Sequence, residues 1–304
     1  MVADAGTQRP VDATALARIA TRLQAAAEPP WLHGEVARRM AERLPLMRRQ
    51  PQRIVQWDAG LGASSDLLRK ACPKANLVEV REASGTRSDA APRVWWPPSR
   101  WARSTRSLAP HEVTDASADM LWSNMGLHFE FDIEALMRRW RRAIVVDGFL
   151  MFSTLGPGSL ASLRRLYRQQ QWPAPMAPLV DMHDLGDMLV HAGFAEPVMD
   201  QELLTLTWAT PAAMLAELRG LGGNADPQRF AGLRTPRWRA ELDLACADLR
   251  GTDGRLRLEL EVVYGHAFCA SPRVPVSRDA AVSLEQMRSM LRGTHETSPG
   301  HRLR

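Results

Sequence analysis

The feature that most constrains the fold is a short strand running into a glycine-bearing turn. Arg53-Ile54-Val55-Gln56-Trp57 is followed by Asp58-Ala59-Gly60-Leu61-Gly62-Ala63-Ser64-Ser65, then by a helical segment over 66–72 that Pro73 ends. A second strand follows at 76–80. Strand, turn, helix and strand in that order form half of a nucleotide site in an open parallel sheet. Gly60 and Gly62 permit close approach of backbone to a ligand. Taken alone, Gly-x-Gly fits a structural turn as well as a ligand loop. Ser65 stands where a dinucleotide loop needs its third glycine, and no Gly-Lys-Ser/Thr follows for a triphosphate. An adenosine cofactor without a diphosphate suits the turn better.

The rest of the chain extends this pattern. Residues 12–48 predict two helices broken at Glu28-Pro29-Pro30, and 83–111 an irregular connection whose Trp95, Trp96 and Trp101 cover the core. Asp119-Met120-Leu121-Trp122-Ser123 predicts a strand. Asp132 caps a helix with an apolar stripe of Ile133, Leu136, Met137 and Trp140. A turn at Asp147-Gly148 opens the strand 149–153, and a Gly-Pro-Gly turn at 156–158 leads into a helix. Another helix over 182–191 ends at Gly193. Two long strand-like runs, 197–208 and 255–268, flank a helical insertion and can pair antiparallel. The expectation is an α/β, doubly wound, Rossmann-like sheet, mostly parallel with an antiparallel edge strand, plus helical insertions. It divides the chain into N-terminal helices (1–48), a core (49–208), a helical insertion (209–254), a final strand (255–270) and a tail (271–304).

Composition excludes several classes. At 45% hydrophobic and 24% charged residues the chain is globular in character. No apolar run approaches the roughly 20 residues of a membrane span, so no membrane partner is expected. Cys72, Cys246 and Cys269 lack metal-ligand or disulfide spacing, which fits a cytoplasmic protein without a metal. The net charge of +5 suits an acidic partner. Arg138, Arg139, Arg141 and Arg142 around Trp140 are either solvated or a docking face for an acidic carrier. No basic segment interleaved with aromatics points to nucleic acid.

Residues 119–129, Asp-Met-Leu-Trp-Ser-Asn-Met-Gly-Leu-His-Phe, resemble the fourth-strand motif of class I methyltransferases. Residues 149–160, with Leu163-Arg164, are similar to one branch, the malonyl-acyl-carrier-protein O-methyltransferases of biotin synthesis. Residues 180–187, Ala192-Gly193-Phe194 and 200–207 are similar to the same branch. The resemblance, over roughly residues 34–269, implies S-adenosylmethionine as cofactor. It further implies methyl transfer to the free carboxylate of a malonyl thioester on acyl-carrier protein or coenzyme A. Such an acceptor is already ionised at neutral pH, so no general base, and no catalytic residue in that sense, is expected.

The resemblance implies Asp58, Gly60, Gly62, Glu82 and Asn124 at the cofactor, and Arg164 and His183 at the substrate. Arg164 is equally compatible with a solvated helix arginine, and His183 with a helix start capped by Asp181. The chain also departs from the family: Gln56 and Asp58 replace an acid and a glycine, Arg81 fills the acid's place after the second strand, and 24–31 lacks a tyrosine. Two alternatives stay open: a methyltransferase with another small acceptor, and a non-catalytic methyltransferase-like partner protein. The oligomeric state is not legible.

Overall fold

The computed structural model describes residues 10–26, 28–47, 49–61, 63–81 and 106–270. Gly62, Glu82, Trp95, Trp96, Trp101 and the tail 271–304 lie outside the described residues. Two helices come first, α1 (Ala13–Gln24) and α2 (Trp31–Ala41). Then come β1 (Arg53–Trp57), α3 (Ser65–Ala71), β2 (Asn76–Val80), β3 (Arg106–Leu108) and β4 (Ala118–Asn124). They are followed by α4 (Ile133–Ala143), β5 (Ile144–Leu155), α5 (Ala161–Gln169), α6 (Met182–His191) and β6 (Ala195–Trp208). The chain continues with α7 (Pro211–Gly220), α8 (Pro236–Ala245) and β7 (Leu256–Phe268).

The strands form one sheet in the order β3-β2-β1-β4-β5-β7-β6. The first five pair parallel, and β7 runs antiparallel between β5 and β6. The chain reverses direction of growth between β1 and β4, which makes their carboxyl ends the switch point where open sheets bind ligands. Side-chain alternation explains the two layers. Met120, Trp122, Phe149 and Met151 face α2, α3, α5, α7 and α8, whereas Leu121, Leu150 and Phe152 face α4 and α6. Every residue of β4 is buried, as an interior parallel strand requires. On α4 the Asp132 carboxylate accepts from Ala135 N at 2.8 Å, and Trp140 packs edge-on against Trp57 with ring centroids 6.3 Å apart. Arg141 donates to Gly193 O at 2.9 Å and Arg138 pairs with Glu134, so those two arginines hold local structure.

Two expectations are corrected. The region 83–111 contains the strand β3, three residues long and partly polar, too short to carry a period. Asp147-Gly148 does not open a strand: β5 already begins at Ile144, and the register jumps from Ala118↔Ile144 to Met120↔Phe149. The extra residues form a bulge in which Asp147 has φ 62°.

Asp119 fixes the entry into the sheet. Its buried carboxylate accepts from Gln52 N at 3.0 Å and Arg53 N at 2.8 Å, and pairs with the Arg53 guanidinium at 3.0 Å. Burial works against the charge, but Arg53 and the two amides keep the carboxyl below its ordinary value. Asp119→Asn retains shape but loses the charge that these donors share. It should lower unfolding free energy by about 1–3 kcal/mol, read by urea titration at pH 7.

Candidate active site

The turn after β1 is built on the neighbouring strands. Ala59 N donates to Val80 O at 3.0 Å and Leu61 N to Asp58 O at 2.9 Å, which folds 58–61 back over the sheet's carboxyl edge. Asp58 stands where a glycine is usual and adopts φ 53°, a conformation aspartate tolerates. Its carboxylate accepts from Ser123 Oγ at 3.3 Å and fills the space above Gly126, where any Cβ would collide with it. At the end of β4, Asn124 Oδ1 accepts from Ser153 Oγ at 2.7 Å, and Asn124 Nδ2 donates to His33 O at 2.8 Å. The side-chain amide thereby ties α2 to β4 and β5.

His33 is wholly buried beneath this arrangement. Its Nδ1 lies 2.7 Å from Leu61 O, and since a carbonyl only accepts, Nδ1 carries the proton. Nε2 is then an acceptor, buried and without a hydrogen-bond partner. Burial pushes the imidazole pKa down to about 4, so the ring is neutral at pH 7.

Beneath the turn a glutamine and a glutamate stand side by side. Gln56 on β1 is in register with Glu79 on β2. Ser65 Oγ sits 2.9 Å from Gln56 Oε1 and 2.8 Å from Glu79 Oε1, yet has one proton to give. Gln56 Nε2 meanwhile has no partner. Turning the amide over removes both conflicts: Nε2 donates to Ser65 Oγ, which donates to Glu79. Burial opposes the Glu79 charge, but Arg81 at 2.8 Å, Ser65 and Arg69 hold its pKa below the ordinary value. An acid at 56 would set two carboxylates side by side across the ladder; a glutamine avoids that repulsion.

The Gly-Pro-Gly turn wraps a carboxylate. Gly158 N donates to Glu261 Oε2 at 2.9 Å and Gly156 N to Glu261 O at 2.9 Å, and a Cβ on either glycine would strike the Glu261 side chain. Leu160 then takes φ 54° and α5 begins. Beside this turn, past the carboxyl end of β5, lies an apolar cavity of about 250 Å³ walled by Ile19, Leu155, Leu163, Tyr167, Met176 and Leu218. Its polar lining includes His128, Asn224 and Arg219. Among the described residues no carboxylate pairs with Arg219.

Of the residues expected at a site, Asp58, Gly60 and Asn124 belong to one edge. Arg164 and His183 lie elsewhere. Arg164 donates to Pro157 O and lines a neighbouring pocket on α5, and His183 is exposed, 2.7 Å from Asp181 Oδ1. His33 and Arg219 were not singled out from the sequence, and Glu79 only as a neighbour of Arg81. Among the described residues no group of metal-binding side chains occurs, and no helix is long and apolar enough to cross a membrane.

No family model matches the chain. It is 36% identical over 262 residues to a malonyl-acyl-carrier-protein O-methyltransferase of Gallionella capsiferriformans, covering 84% of this chain and 89% of that protein. A protein of the same name from Laribacter hongkongensis is 37% identical over 255 residues, covering 80% and 84%. Among solved structures, the YcgJ protein of Bacillus subtilis superposes with a TM-score of 0.51 at 12% identity, covering 78% of this chain and 99% of that one; this likeness shows the fold.

Two predictions follow from the geometry. The unfolded His33 takes a proton near its ordinary value of 6.5 and the folded one only near 4. The stability is therefore whole above about pH 6.5 and drains as pH falls toward 4, by on the order of 3 kcal/mol. His33→Asn, which can still donate to Leu61 O, should flatten that slope in urea titrations between pH 7 and 5. Gly158→Ala should cost about 2 kcal/mol or more, because the new methyl displaces the Glu261 carboxylate from the Gly158 amide. Thermal unfolding of the variant measures it.

Proposed function

The chain belongs to the malonyl-acyl-carrier-protein O-methyltransferase family, and from that membership we propose how this chain's own residues methylate the free carboxylate of a malonyl thioester. The cofactor, S-adenosylmethionine, supplies a methyl group on a positively charged sulfur. The carboxyl edge of β1 and β4 fits it. The buried Nε2 of neutral His33 has no donor of its own, the ammonium of the cofactor's amino-acid end would supply one, and Gly60 leaves the turn beside it without a side chain. Asp58 and Gly60 stand in the turn that would lie over the cofactor. Asn124 acts by holding the His33 backbone in place. Glu79 is occupied by Arg81, Arg69 and Ser65, so it is not the acid assigned to the ribose hydroxyls.

The observation that carries the acceptor assignment is the apolar cavity at the end of β5, with Arg219 at its wall. Apolar walls exclude water from the acceptor oxygen, and the exposed Arg219 pairs with the malonyl carboxylate at the cavity's edge. No side chain has to remove a proton, since the carboxylate is already ionised. Arg219 takes the part first expected of Arg164, whose guanidinium is turned to Pro157 O. The malonyl group arrives on acyl-carrier protein, and the reaction takes place in the cytoplasm, where the buried thiols of Cys72, Cys246 and Cys269 stay reduced.

Incubation of the purified protein with S-adenosylmethionine and malonyl-acyl-carrier protein should yield the methyl ester by mass spectrometry. Folded protein that esterifies no malonyl thioester sinks this reading. Arg219→Ala should raise KM for the malonyl substrate roughly tenfold with a smaller change in kcat, and Arg219→Lys should recover part of the loss.

A further inference from the structure

A second pocket adjoins the first and is its electrostatic opposite. It measures about 390 Å³ and is lined by Arg164, Arg165, Arg168, Tyr167, Trp172 and Pro175, with two alanines and no acidic residue. Tyr167 and Pro175 also line the apolar cavity, so the two share a wall. The charge is not neutralised locally. Residues 156–180 contain three arginines and no aspartate or glutamate, and among the described residues none of the three pairs with a carboxylate. Arg164 is half-committed: one nitrogen donates to Pro157 O, while its buried Nε has no acceptor. Arg165 and Arg168 are exposed.

The walls are rigid. The Glu261 clasp sets where α5 starts, and Tyr167 meets Trp172 edge-on with centroids 5.2 Å apart. Trp172 in turn packs on Trp238 of α8 at 5.4 Å. A fixed concavity with three guanidinium groups and no counter-charge is a site for a multiply charged oxyanion, which arginine meets with paired donors. Simple solvation of a helix face explains neither the concavity nor the missing acids over 156–180.

We propose that this pocket binds the phosphate of the 4′-phosphopantetheine arm that carries the malonyl thioester. The inference rests on the function proposed above and extends it: the thioester end of the arm enters the apolar cavity past Tyr167 while the phosphate stays with Arg165 and Arg168. The same phosphate occurs in acyl-carrier protein and in coenzyme A, so the site reads the arm and not the body attached to it.

The test compares methylation of malonyl-4′-phosphopantetheine with that of malonyl-pantetheine, which lacks the phosphate, using the full chain. The wild type should favour the phosphorylated substrate in kcat/KM by roughly tenfold or more, the scale of one charge-assisted contact. In Arg165→Ala/Arg168→Ala that ratio should fall toward one, and Arg165→Lys/Arg168→Lys should restore part of it. Each ratio is internal to one protein preparation, so partial misfolding does not mimic the effect. Malonyl-coenzyme A and malonyl-acyl-carrier protein should both lose efficiency in the alanine variant. A wild type indifferent to the phosphate, or a preference that survives the substitutions, overturns the proposal. So does a loss confined to acyl-carrier protein, which would assign the arginines to the carrier's acidic surface. A wild type that methylates none of the four substrates removes the proposed function itself, and the phosphate site with it.

Discussion

The arrangement of the site depends on the side-chain amide of Asn124. One end accepts from Ser153 of β5 and the other donates to the backbone of His33 in α2, all three groups being buried. An aspartate could not donate to the His33 carbonyl, and an aliphatic residue would leave the buried Ser153 hydroxyl proton without its acceptor, at a cost of roughly 1–3 kcal/mol. The amide therefore determines where the N-terminal helix crosses the sheet. That position, in turn, buries His33 against Leu61 and leaves its Nε2 as an unpartnered acceptor beside the turn. Three segments distant in sequence meet because of one residue type.

A second constraint organises the turn between β5 and α5. Glu261 on β7 projects into the turn between β5 and α5, and the turn closes around it only because positions 156 and 158 have no Cβ. Ser159 completes the clasp, donating to Glu261 O and accepting from Glu261 N, each at 3.1 Å. The origin of α5 is thus fixed from the antiparallel strand. Everything on that helix inherits the precision: Leu163 and Tyr167 turn to the apolar cavity, and Arg165 and Arg168 to the charged one.

Legibility in the sequence followed the range of the interactions. The turn after β1, the capped helix from Asp132 and the Gly193 stop are written in neighbouring residues, and each is found where its chemistry puts it. The final strands showed themselves by length and alternation. What was hidden is set by contacts across the sheet. Gln56 looked like a lost acid until β2 was laid beside it and Glu79 was found in register, already served by Ser65, Arg69 and Arg81. Asp147-Gly148 has the composition of a turn, and only the pairing of β5 with β4 makes it a bulge. Arg219 gave no signal at all, because α7 is an exposed, weakly patterned helix and its relation to the cavity is purely tertiary. Conversely, Arg164 and His183 were named by the family resemblance, and the fold directs the first to Pro157 O and the second to solvent.

The distribution of arginines also bears on catalysis. A carboxylate loses its charge as it is esterified, so a cation that binds it tightly stabilises the starting state more than the transition state. Three guanidinium groups around the acceptor would bind it well and methylate it slowly. The chain instead places one arginine, itself exposed and hence weakly interacting, beside the apolar cavity, and gathers the strong positive field in the adjacent pocket. A phosphate keeps its charge throughout the reaction, so attraction to it lowers ground and transition states equally. Under the proposed assignment that binding can be strong without slowing methyl transfer, and the cavity beside Arg219 can remain apolar.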